Sequence, residues 1–129
     1  MVYLKEYRIA SVLFAFSLYY INVAHAQFPD RVQGTRETKA LAKELTRVYD
    51  AWLGLDGIQL PIFEEIVEDY IILSNKAKQQ LEGKEELDAL TELMINETLQ
   101  MENLLTLFQF REYIRVRQEI QPIKKLEPN

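Results

Sequence analysis

Four stretches of this chain place their apolar residues three or four positions apart, and no stretch alternates apolar and polar residues with period two. That pattern constrains the fold more than any other feature, because one face of an α-helix repeats about every 3.6 residues and one face of a strand about every two. The first predicted helix runs from about Arg36 to Leu53, with Thr35 as candidate N-cap and Leu41, Leu45, Val48 and Trp52 on one face. Gly54 and Gly57 then break the chain. The second runs from about Gln59 to Leu81, with a wide stripe of Phe63, Ile66, Val67, Tyr70, Ile71, Ala77 and Leu81, and Gly83 is its candidate C-cap. The third, from about Lys84 to Leu104, carries Leu87, Leu90, Met94 and Met101, widened by Leu93 and Ile95. The fourth, from about Leu107 to Gln121, carries Phe110, Tyr113, Ile114 and Val116, and Pro122 stops it. Asp56-Gly57, a hairpin signal between strands, lies here between helical patterns. The predicted fold class is all-α, four helices joined by short loops.

The first 26 residues are of another kind. Lys5 and Arg8 give a positive start, Ile9 to Ala24 is almost wholly apolar, and Ala24-His25-Ala26 offers the small residues of a cleavage site. Charge, apolar run and small-residue site in that order form a secretory signal. The second reading is an uncleaved anchor, but the run is a little short for a spanning helix, which needs about 20 residues. The expectation is export to the periplasm with residues 1–26 cleaved, and membrane contact only through the signal if it stays. Residues 27–34 read as a disordered leader, 35–121 as the helical domain and 122–129 as a flexible tail.

Cleavage leaves 103 of the 129 residues, one domain without a single cysteine. A chain that short buries only about 60–65% of its unfolded surface, so a homodimer is a physical expectation. Taking Lys5 and Arg8 from the 15 basic residues and Glu6 from the 20 acidic ones leaves a net charge of −6. Nucleic acid is a poor partner for that balance. Glu64 to Glu102 holds eleven acidic residues against Lys76, Lys78 and Lys84, whereas Arg111 to Lys125 holds five basic against Glu112 and Glu119. The acidic block reads either as a solvated helix face or as a docking surface.

A weak repeat recurs at a spacing of 50 residues: Leu55-Asp56-Gly57-Ile58-Gln59 aligns with Leu105-Thr106-Leu107-Phe108-Gln109. Each copy reads as a helix start. Asp56 or Thr106 accepts from the backbone N–H three residues on, and Gln59 or Gln109 reaches back to the cap's own N–H, which is a capping box. Two good caps and nothing more is the plainer reading.

These two boxes, in an exported chain of this size, resemble the LTxxQ-motif periplasmic proteins of the Spy and CpxP type. Leu105-Thr106-Leu107-Phe108-Gln109 matches that motif literally, and Leu55-Asp56-Gly57-Ile58-Gln59 matches in all but the Thr. Gln109-Phe110-Arg111-Glu112-Tyr113 also looks like the continuation common in relatives, and the similarity covers roughly Leu41 to Gln121. The resemblance implies four helices in a hairpin-like protomer that dimerises into a cradle. It implies an ATP-independent chaperone for unfolded or envelope proteins, or an accessory subunit of an envelope stress sensor. The chain departs from that pattern in its acidity and in Pro61, which removes an early hydrogen bond and lets the second helix begin nearer Leu60.

His25 is the only histidine and falls in the signal, so the remainder has neither His nor Cys. Ser-His-Asp and Cys-His catalysis and conventional zinc sites are excluded, and no phosphate-cradling glycine loop is present. The expectation is no enzyme, no metal and no cofactor. The acidic pairs Glu64 with Glu68 and Glu65 with Asp69 are the only residual metal candidates. Asn96-Glu97-Thr98 is a sequon inside a predicted helix, where chance explains it. Trp52, Phe63, Tyr70, Phe108, Phe110 and Tyr113 are large enough to line a client groove, with Phe63, Tyr70, Phe110 and Tyr113 the first candidates. The competing reading makes them bundle core.

Overall fold

The computed structural model describes residues 34–123. The signal at 1–26, the leader up to residue 33 and the tail from 124 lie outside the described residues. Four helices follow in order: α1 (Arg36–Leu53), α2 (Gln59–Gln80), α3 (Gly83–Leu104) and α4 (Leu107–Ile120). The described residues form no strand. None of their helices is long and apolar enough to cross a membrane. Short loops make successive helices antiparallel neighbours. α2 packs on both α1 and α3, while α4 packs on α1 and more lightly on α3.

Each boundary has a local cause. Thr35 caps α1, its side chain accepting from the Thr38 N–H at 3.2 Å. Gly54 ends α1 in the left-handed conformation, φ 59°, where a Cβ would be strained. The expectation for Gly83 needs correcting. α2 ends at Gln80, Leu81 and Glu82 make the turn in extended conformation, and Gly83 takes φ 60° as the first residue of α3.

The core is centred on three rings from three helices. Tyr49 lies 5.2 Å from Phe63 and 5.5 Å from Tyr113, and Phe63 meets Tyr113 edge-on at 6.2 Å. Such tilted pairs contribute about 0.5–1.5 kcal/mol beyond the area they bury. Ala42, Val67, Met101 and Val116 fill the space around them. α1 turns a different face inward from the one its large aliphatic residues suggest. Its buried residues are Ala42, Thr46, Tyr49 and Leu53, each one position along from Leu41, Leu45, Val48 and Trp52. One residue is a rotation of about 100°. The small side chains at 42 and 46 let a neighbouring helix come close, and Tyr49 supplies the bulk. Leu45 and Val48 end half-buried at the edge, whereas Leu41 and Trp52 are exposed.

A charged pair is sealed in the bundle. Glu97 of α3 and Arg117 of α4 are 2% and 4% exposed. Arg117 Nε lies 3.3 Å from Glu97 Oε1, which also accepts from the Tyr113 hydroxyl at 2.7 Å. Arg117 Nη1 donates to the Gln121 carbonyl at 2.8 Å, its guanidinium lies 5.2 Å from the Tyr70 ring, and the Tyr49 hydroxyl donates to Gln121 Oε1. Burial pushes both tyrosine hydroxyls above their usual range, so they remain donors. Among the described residues, Glu97 Oε2 and Arg117 Nη2 have no hydrogen-bond partner. Such a pair adds little net stability but is costly to break on one side only. Arg117→Met should therefore destabilise by about 3–5 kcal/mol, and adding Glu97→Met should recover most of it. Urea unfolding of the single and double variants measures both, and a double variant no more stable than the single contradicts the argument.

Burial raises the Glu97 carboxyl above its ordinary value of 4.5, with the Arg117 charge and the Tyr113 hydrogen bond pulling it partly back. A group raised on folding contributes stability in acid and loses it as pH climbs through the folded value. Glu97→Gln cannot titrate. The stability of the native protein relative to Glu97→Gln should thus be greater near pH ~4 than near pH ~7. Urea titrations at the two pH values test this, and an unchanged difference would refute it.

Candidate functional site

Both capping boxes form, and they form against each other. In the second copy the Gln109 N–H donates to Thr106 Oγ1 at 3.3 Å and the Thr106 N–H donates to Gln109 Oε1 at 3.0 Å. In the first, the Gln59 N–H donates to Asp56 Oδ1 at 2.7 Å and the Asp56 N–H donates to Gln59 Oε1 at 3.1 Å. Regular helix begins at Gln59, but the Leu60 N–H already donates to the Asp56 carbonyl, so Asp56 is the working cap. Pro61 has not moved the start to Leu60.

The side-chain amides do the rest. Gln59 Nε2 donates to Gln109 Oε1 at 2.8 Å, and Gln109 Nε2 donates to Gln59 Oε1 at 3.0 Å. Gln59 Nε2 also reaches the Leu104 carbonyl at the end of α3, at 3.2 Å. Gln109 Nε2 reaches the Gly54 carbonyl just beyond α1, at 3.2 Å. Each box therefore satisfies an orphan carbonyl of the helix that precedes the other box. Leu105 is buried and Leu55 half-buried against the core beneath. Asp50 adds a contact that sequence reasoning missed, its Oδ1 accepting from the Leu55 N–H at 2.7 Å.

This geometry turns outward the residues between cap and glutamine. Ile58 is 77% exposed, Leu107 61% and Phe108 80%. They flank the bonded glutamines at one end of the bundle. Trp52, 55% exposed, lies against α4, with the Arg115 guanidinium 5.2 Å from its ring. Arg115 also pairs with Glu112, and that hydrogen bond holds the Glu112 carboxyl below the usual carboxylate range.

The client-groove candidates divide. Phe63 and Tyr113 are fully buried, so they pack the core and offer nothing to a client, which corrects that expectation. Phe110, stacked on Tyr113 at 6.2 Å, is half-buried, as is Tyr70 beneath Arg117. Phe108 and Trp52 are the exposed aromatics of the set. No group of three or more potential metal ligands occurs among the described residues. The chain matches no family model, and no curated protein or solved structure matches it.

The paired boxes carry unequal loads. Thr106→Ala loses one cap bond and should cost about 1 kcal/mol. Gln109→Ala also removes the partner of Gln59 and the donor to Gly54, so it should cost about 2–3 kcal/mol. A Gln59→Ala/Gln109→Ala cycle should show coupling of about 1 kcal/mol or more. Thermal unfolding of the four proteins measures these terms, and purely additive losses would mean the amide pair does not link the boxes.

Proposed function

We propose that this chain is an exported, ATP-independent chaperone-type protein of the periplasm that holds partly unfolded proteins on apolar surface. The observation that carries this reading is the group of Ile58, Leu107 and Phe108 around the twin caps. Hydrating such side chains costs about 1.5–3 kcal/mol each relative to burying them. Clustered exposure of this kind marks a surface that meets a partner. The capping boxes support the reading further, because they hold the cluster on rigid helix starts rather than on a loop. The signal sequence supplies the compartment, where a binding protein works without nucleotide. The same motifs are those in which the chain resembles the Spy and CpxP type. In this reading no catalytic group and no cofactor take part.

A second reading makes the chain an accessory subunit of an envelope sensor, favoured by the contrast between the acidic α2–α3 block and the basic end from Arg111. Light scattering separates the two. Without ATP, the mature chain should suppress aggregation of a chemically denatured client near stoichiometric ratio. Ile58→Ser/Phe108→Ser should lose most of that suppression at an unchanged melting temperature, since neither side chain is buried. No suppression by the native chain would sink the chaperone reading.

A further inference from the structure

We infer that the end of the bundle opposite the twin caps holds a small carboxylic acid, one carboxylate on an apolar body of roughly six to eight carbons. The site lies apart from the client surface proposed above and does not depend on that reading. A hollow of about 180 Å³ opens there, lined by α1, α2, α3 and the segment 121–123 that follows α4. Leu41 and Leu45 of α1, Ile71 of α2 and Leu90 of α3 form its apolar wall. The two α1 leucines lie one position off the inward face of their helix, which leaves Leu45 half-buried and Leu41 48% exposed. The volume sets the size of the ligand. A cavity of about 150 Å³ holds benzene, so this one takes a ring or a short chain. A nucleotide or other drug-sized molecule needs about 300 Å³ or more.

Two polar groups of α2 set the chemistry. Ser74 lines the hollow, is 4% exposed, and its Oγ has no hydrogen-bond partner among the described residues. A helical serine can bond the carbonyl four residues back, and this one does not. A buried hydroxyl without a partner is costly and rare, and a ligand oxygen in the hollow would supply the partner. Lys78 lies one turn further along the same face and is exposed. It is the one charged side chain among the described residues that line the hollow, and none of their ion pairs uses it. A hydroxyl that can donate and an ammonium one turn away match the two oxygens of a single carboxylate. An amine meets the wrong charge at Lys78, and a neutral alcohol leaves that charge unpaired.

The test titrates the mature chain, residues 27–129, with sodium octanoate, followed by calorimetry and by backbone amide NMR shifts. Octanoate should bind one to one, with the largest shifts around Ser74, Lys78 and Leu90. It should bind at least ~10-fold tighter than octylammonium or octanol. Shortening the probe to butanoate should lose at least ~10-fold, since each buried methylene contributes up to about fourfold. Lys78→Glu should remove the preference for octanoate over octylammonium. Ser74→Ala should weaken octanoate about tenfold. Its melting temperature should be no lower than that of the native chain, because the hydroxyl it removes has no partner there. Equal binding of the three eight-carbon probes, indifference to both substitutions, no saturable binding, or shifts centred on Ile58 and Phe108 at the other end would each overturn the inference.

Discussion

The reciprocal amide bond between Gln59 and Gln109 is the constraint on which the rest of the described bundle depends. A glutamine amide has an acceptor and two donors, and both residues use all of them. Each oxygen takes its own cap's N–H and the other's amide, and each nitrogen serves the other amide and a distant helix end. Glutamate could complete a capping box but not this pair, because it has no donor and two carboxylates at such range repel. Four helix ends thus meet at one point, although their residues lie 50 positions apart in the chain.

That junction explains the exposed apolar end as a geometric consequence. A capping box fixes the cap and the third residue against the backbone, so the two residues between them face away. The chain fills those positions with Gly57 and Ile58 in one copy and Leu107 and Phe108 in the other. Polar residues there would keep both caps intact. The apolar choice at three of the four positions therefore has no account within the described bundle and fits a surface made for contact.

Much of this was legible in the sequence, and what was not has specific physical reasons. The four helices follow from 3–4 spacing, and Thr35, Asp56 and Thr106 were readable as caps because capping is local. The inward face of α1 was hidden because its core positions include Ala42 and Thr46, while larger aliphatics sit one residue away. The Glu97–Arg117 pair was hidden because it joins different helices, and Glu97 reads as one more member of an acidic run. The glutamine junction was half legible. Each box announced itself, but the second use of each amide is a tertiary contact with no local pattern. The large aromatics could not be sorted into core and surface by type alone. Phe63 and Tyr113 went inside while Phe108, two residues from Phe110, stayed out.

The thin burial of α3 ties these features together. Of its 22 residues only Leu90, Glu97 and Met101 are fully buried, while Leu87, Leu93, Met94 and Leu104 are half-buried, so its hydrophobic anchoring is spread thinly along one side. Directional bonds add to its packing on α2 in setting its position. Gln59 holds the Leu104 carbonyl at one end, and the Glu97 contacts to Tyr113 and Arg117 fix the middle against α4. Polar bonds hold one geometry without consuming apolar surface, so Leu99 and Ile95 remain outside at no loss of register. A helix fixed in this way keeps its register while Ile95 and Leu99 stay exposed.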